Sequence, residues 1–258
     1  MTTFTPEAKE LLAAGLHFGH KTHKWNPKMK EFILGKKNNI HIIDLEKTIA
    51  MLAKATAFLE EAAANGKIIM LVSTKQQTLD ILPAIADKLG LPYVTEKWYG
   101  GLLTNWNTTK TRIRHLRKLK EERDLTGFSK YVKSERTGKQ KEIERLEQWY
   151  IGIEGLERRP DVMFVLDTCR DKIAVLESNT CKIPVIGIVD TNADPDLVTY
   201  PIPGNDDAVK AIDYVLTAVS NAIEKGTARR MKAATEKAPA KAVAEKPATA
   251  KEEKVKAA

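Results

Sequence analysis

Three continuous apolar runs constrain this chain most: KIIMLVS at residues 67–73, VMFVLD at 162–167 and VIGIVD at 185–190. A strand with one wet face alternates apolar and polar positions, whereas a run without polar positions is buried on both faces, as in a parallel sheet covered by helices. The segments between the runs fit that arrangement. Residues 46–65 carry Ile49, Leu52, Ala53, Ala57 and Leu59 at near-helical spacing before Gly66, and residues 76–89 form a second periodic stretch before Gly90. Further helices are predicted near residues 171–179 and 206–224. IHIIDL at 40–45 reads as the first strand of this series, and residues 93–95 as a short third one. The pattern predicts an α/β fold with a parallel sheet.

The alternation breaks between residues 105 and 155. There Ile113, Leu116 and Leu119 recur among Lys and Arg, and after breaks at Gly127 and Gly138 a second series runs Ile143, Leu146, Tyr150, Ile153. A narrow apolar stripe on a charged helix is the pattern of an antiparallel coiled-coil hairpin. The expected organisation is an α/β core from residues 1–104 and 156–226, with an inserted helical hairpin at 105–155. Such an arm buries too little to stand alone, so it is mobile or held by a partner. Residues 227–258 contain 11 alanines and 13 charges with almost no large apolar side chain, and are expected to be disordered, transient helix being the competing reading.

The distribution of charge says more than the net +8. Residues 110–145 carry 13 basic against 6 acidic side chains, while residues 146–226 carry 7 against 14. A polyanion should therefore meet the middle of the chain, and the acidic part should face solvent or a basic partner. A second basic segment, HFGHKTHKWNPKM at 17–29, adds lysines that can meet phosphates and a tryptophan face that can meet a base. Pro27 keeps Asn26 out of the helical region, which holds the segment open.

The two cysteines, Cys169 and Cys181, are too few for a disulfide framework or a four-cysteine zinc site, and read as reduced, buried thiols. No stretch approaches the ~20 apolar residues of a membrane span, and the N-terminus lacks the layout of a secretion signal, so a cytoplasmic location is expected.

Three constellations invite chemistry. His17 and His20, with Asp190 or Asp206, could supply ligands to zinc or magnesium, but hydrogen-bonded or RNA-facing histidines are commoner than ligands. DTNADPD at 190–196 and YPIPGNDD at 200–207 place carboxylates after a parallel strand, where α/β enzymes bind metals; a metal-dependent enzyme using Asp190, Asp194 and Asp206 is the rival reading. The architectural reading has Asn205 or Asp206 capping the last helix and Pro195, Pro201 and Pro203 fixing a loop. KWYGGLLTN at 97–105 could bring a phosphate to the backbone or turn the chain into the arm, with Thr104 or Asn105 as a helix cap. There is no Walker loop and no GxGxxG, so the two commonest nucleotide fingerprints of such folds are missing.

Read in order, HFGH and WNPKM, HIIDLEKT, WYGGLLTN, PDVMFVLD, IPVIGIVDTNADPD and YPIPGNDDA make the chain resemble the bacterial small-subunit ribosomal protein S-two family over residues 11–226. The resemblance implies a flavodoxin-like three-layer α/β/α core with a five-stranded parallel sheet and a protruding hairpin. It also implies a non-enzymatic role with no small-molecule substrate: binding small-subunit ribosomal RNA between head and body, and helping dock ribosomal protein one. Lys97 stands where arginine is more usual in that family, and Tyr99 where an aliphatic residue is. RNA contacts are then expected from Lys24, Trp25, Asn26, Lys28, Lys30, Lys36 and Lys37, and from Arg112, Arg114, Arg117 and Lys118 on the arm.

Overall fold

The computed structural model describes residues 8–244. The described chain opens with α1 (Ala8–Ala14), β1 (Phe18–Lys21), β2 (Ile33–Lys37) and β3 (Ile40–Ile43), followed by α2 (Leu45–Ala64), β4 (Ile69–Val72), α3 (Ile81–Leu89) and β5 (Tyr93–Val94). The arm is α4 (Trp106–Thr126) and α5 (Lys133–Tyr150). The chain then returns through β6 (Val162–Val165), α6 (Lys172–Thr180), β7 (Val185–Val189), β8 (Tyr200–Pro203) and α7 (Val209–Ala244).

The main sheet is parallel, with strand order β5-β4-β6-β7-β8. Counted from its own first strand this is the order 2-1-3-4-5 of the flavodoxin-like doubly wound fold, with the switch point between β4 and β6. Fully buried strands β4, β6 and β7 send alternate side chains to opposite layers. Ile69, Leu71, Phe164, Ile186 and Ile188 pack with α1, α2, α3 and α7, while Met70, Val72, Met163, Val165 and Val189 pack with α6 and the arm.

Two strands differ from the sequence expectation. Residues 40–43 do not join the parallel sheet; they are the centre of a separate antiparallel sheet, β1-β3-β2, closed by a two-residue turn at Asn38 and Asn39, both at positive φ. The fifth parallel strand is instead Tyr200–Pro203, read from its prolines as loop. It lies at the sheet edge, where a missing N–H costs no ladder bond. Asn205 Oδ1 accepts from Asp207 N (2.8 Å) and Ala208 N (3.3 Å) ahead of α7, so Asn205 is the capping residue there. Gly138 does not interrupt the arm but lies inside α5, and Gly127, at φ 53°, is where α4 ends. Cys169 is exposed, not buried, because it sits in the turn after β6.

Helix α7 carries on to Ala244, so the alanine- and lysine-rich stretch expected to be disordered from 227 begins as helix, in keeping with the propensity of those residues. Residues 245–258 of that stretch lie outside the described residues. Where α7 crosses α2, a methyl group at Gly226 would fall on the Glu60 carbonyl and the Ala63 side chain. Alanine gains about 1 kcal/mol of helix propensity over glycine, but overpacking a backbone contact costs about 1–3 kcal/mol. Gly226→Ala is expected to lower the urea midpoint of unfolding; a raised midpoint would show that the helices can part without cost.

Candidate nucleic-acid interface

The arm is an antiparallel helix pair laced by its own charges. Lys139 pairs with Glu122 (2.7 Å), His115 with Glu142 (3.1 Å), and Lys120 with both Glu147 (3.2 Å) and Glu154 (2.7 Å). Beneath these pairs Ile113, Leu116, Leu119, Ile143, Leu146 and Tyr150 are buried in the same core cluster as one face of the sheet. The base of the arm is thus continuous with the body.

What fixes the entry to the arm is Glu177, on α6. Its carboxylate, in a residue only 8% exposed, accepts from Trp98 Nε1 (3.1 Å), Gly101 N (2.7 Å), Leu103 N (3.0 Å), Thr104 N (3.1 Å) and Thr104 Oγ1 (3.2 Å). The WYGGLLTN backbone does form an anion nest, but the anion is a side chain of this protein rather than a phosphate. Gly101, at φ 91°, supplies the left-handed turn that points these N–H groups inward. Burial pushes the Glu177 pKa up; the donors of Gly101, Thr104, Trp98 and Leu103 outweigh it and hold the group below the ordinary glutamate value. Asn105 leaves the backbone of α4 uncapped and accepts from Thr108 Oγ1 instead (2.9 Å).

On the outer side of the arm base runs a cationic groove. One part, about 480 Å³, is lined by Trp106, Lys110, Arg158 and Arg159 together with Glu157 and Asp161; the other, about 280 Å³, by Lys110, Arg114, Arg117, Leu156 and Glu157, so that five cations face two carboxylates. Lys110, Arg114 and Arg117 line it from α4, at spacings of four and three. Arg158 is forked onto Asp161 (2.7 and 2.8 Å), and Arg117 donates to the Glu154 carbonyl. Arg114 and Arg117 were legible in the sequence as helical cations; Lys110, one turn earlier on the same helix, was not singled out there, and Arg158 and Arg159 are brought to them only by the fold. Arg112 and Lys118 are exposed but do not line this groove.

The N-terminal candidates occupy a different surface. Lys24, Lys30, Lys36 and Lys37 are exposed, and Trp25 is 36% exposed beside the His41 ring, 5.4 Å between centroids. Asn26 and Lys28 are committed within the chain. Asn26 Oδ1 accepts from Lys28 N (3.1 Å) to cap a short 3-10 helix, and Lys28 Nζ bridges Asp194 (2.9 Å) and Asp196 (2.7 Å).

At the switch point, where doubly wound folds hold ligands, the C-terminal ends of the strands are bridged by side chains of the chain itself. Lys75 follows β4 and is 6% exposed; its ammonium meets Asp167 (3.1 Å), Asp206 (2.9 Å) and Asp207 (2.8 Å) across the switch point. Alongside, His20 Nδ1 lies 2.8 Å from Asp190 Oδ2, and Gly19 lets the strand close on Thr191, whose Oγ1 accepts from His20 N (2.9 Å). The donor atoms of His20, Asp190 and Asp206 lie within 4.8 Å of one another, a set whose chemistry suits a divalent cation. His17 is not in that group; its ring lies against Phe18, 3.9 Å between centroids and tilted by 40°. Nor is Asp194, which is drawn away by Lys28 and accepts from Asp196 N (3.1 Å). The rival acidic site Asp190, Asp194, Asp206 is therefore not assembled as a unit.

Burial, reinforced by Asp167 and Asp190, pushes the Asp206 pKa up to about 7, and the hydrogen bond to Asp190 raises that of His20. Both groups hold protons more tightly folded than unfolded, so the stability they confer is present at low pH and lost as pH rises through their folded values. From about pH 5 to pH 8 thermal stability is therefore expected to fall. Melting curves across that range check this: Asp206→Asn should flatten the slope, and an unchanged slope would remove the cluster from the account.

The site is a doubly wound body whose switch point is bridged by its own ion pairs, carrying a cationic helical arm anchored at its base, the build of a scaffold with a charged arm. The comparisons agree. The model of the family Ribosomal protein S2 matches residues 11–226. Small ribosomal subunit protein uS2 of Dictyoglomus turgidum is 45% identical over 226 residues, covering 88% of this chain and 92% of that protein. The proteins of the same name from Coprothermobacter proteolyticus and Rhizobium leguminosarum are 42% and 44% identical, covering 84% and 86% of this chain and 81% and 87% of theirs. The chain belongs to the ribosomal protein S2 family.

Proposed function

We propose that this chain is a structural constituent of the small ribosomal subunit that holds ribosomal RNA on its arm and on the N-terminal basic surface. The groove lined by Lys110, Arg114, Arg117, Arg158 and Arg159 is the observation that carries this reading. Several cations spaced along one helix and the adjoining loop match successive phosphates of a backbone, and each phosphate neutralised releases counterions. Lys24, Lys30, Lys36 and Lys37 supply a second set of phosphate partners, and Trp25 a face for stacking. The role is architectural rather than catalytic: the buried ion cluster of Lys75, Asp167 and Asp206 is engaged in joining strand ends. On the ribosome the chain sits between head and body and helps dock ribosomal protein one. The acidic balance of residues 146–226 supports a protein-facing side opposite in charge to the arm.

Ultraviolet crosslinking of intact small subunits, followed by mapping of the RNA-bearing peptides, tests the assignment. Adducts are expected on the peptides holding residues 110–118 and 158–159. Adducts confined to other surfaces would remove the arm from RNA binding.

A further inference from the structure

We propose that Tyr99 and Trp149, with Lys97, Arg112 and Arg145 around them, form a stacking site for an unpaired base of RNA. This rests on the reading of the arm as an RNA-binding element and adds to it a second contact of different chemistry from the phosphate groove.

The two rings come from segments far apart in sequence and meet at the arm base, with centroids 4.2 Å apart and planes tilted by 43°. Tyr99 is presented by the loop that Glu177 clamps on both sides, through Trp98 and Gly101. Trp98 turns inward and is 6% exposed, which sends its neighbour outward; Trp149, in the last turn of α5, is likewise half-buried. Both rings are thus held by buried neighbours while part of each stays at the surface, so a stacking partner would pay little ordering entropy.

A cation lies over each ring. Lys97 Nζ lies 5.7 Å from the Tyr99 centroid and the Arg145 guanidinium carbon 5.7 Å from the Trp149 centroid. Arg112, one of the arm cations outside the groove, is close enough for its charge to act on the Tyr99 phenol. All three cations are exposed. An aromatic pair that only packed the hinge would need none of them, and an acidic peptide would need only the cations. Rings for a base and cations for its flanking phosphates are together the requirements of a single-stranded RNA site.

Fluorescence anisotropy of the full-length chain with a labelled twelve-nucleotide oligo(U), and with a twelve-base-pair RNA duplex, tests the site. Tyr99→Leu and Trp149→Leu are each expected to weaken oligo(U) binding about five- to hundredfold while leaving duplex binding within twofold, and Tyr99→Phe to bind as the parent does. Arg145→Gln, an exposed change that does not burden folding, should lower the slope of log K against log salt for oligo(U) by about 0.7. Unchanged oligo(U) binding in the leucine variants and an unchanged slope in Arg145→Gln would overturn the site. So would equal losses for oligo(U) and duplex, which would mark the rings as arm packing only, or a preference of the ring-dependent site for an acidic peptide over oligo(U). If the parent chain binds neither RNA, the RNA reading of the arm itself fails. If Arg114→Glu weakens duplex binding while the ring variants leave oligo(U) binding intact, the groove stands and the stacking site falls.

Discussion

Replacing Glu177 with alanine is expected to lower the unfolding free energy by about 3–5 kcal/mol and to loosen the arm before the rest of the body. The carboxylate accepts five hydrogen bonds from the Trp98 to Thr104 turn, four of them from N–H groups. Removing it leaves those donors facing a cavity that the neighbouring Leu102 and Leu103, both at most 2% exposed, keep apolar. Each orphaned donor costs about 1–3 kcal/mol, and local relaxation with water entry recovers part of the sum. Glu177→Gln keeps the shape but turns one acceptor into a donor among donors, so it should fall between the alanine variant and the parent. Hydrogen exchange on amides 98–110 separates local from global effects: protection should drop there first. The same anchor has an acid limit. Because the Glu177 pKa is held below its ordinary value, its contribution is complete above about pH 4.5 and is lost as pH falls through the folded value.

The second large effect is on RNA. Reversing Arg114 and Arg117 to glutamate is expected to weaken association with small-subunit ribosomal RNA tenfold or more, and to reduce the salt slope by roughly 1.5–2, while far-UV circular dichroism of the body stays unchanged. Arg114→Glu alone isolates the phosphate effect, because Arg117 also donates to the Glu154 carbonyl at the arm base. Filter binding at several salt concentrations reads both quantities. Unchanged affinity in the double variant would mean that the groove meets solvent or protein rather than phosphate.

How much of this was legible in the sequence depended on whether a signal was local. The apolar runs of β4, β6 and β7 named the centre of the sheet because burial on both faces leaves no polar position in the strand. The edges were misread for a physical reason. IHII has the apolar composition of a core strand, yet it pairs in an antiparallel sheet whose turn signal is the Asn38–Asn39 pair, while YPIP hides an edge strand behind prolines that an edge tolerates. The arm helices showed in their periodicity and charge, but the groove did not, because Arg158 and Arg159 reach Lys110 only after the chain has returned from the arm. Glu177 and Lys75 carried no motif at all. Each is a single charged residue whose importance comes from partners tens of residues away, as with Lys75 and Asp206, and only burial distinguishes it from a solvated side chain. A lysine three residues after a fully apolar strand, with Asp167, Asp190 and Asp206 after three later strands, was the available hint.

As a structural constituent of the small ribosomal subunit, this chain is expected to travel with the particle. Sedimentation of a cell lysate through a sucrose gradient after a high-salt wash, with the chain quantified in each fraction, tests it most directly. Comigration with small subunits at one copy per particle is the expected result. A peak at the top of the gradient, as a free protein or a discrete oligomer, would contradict it.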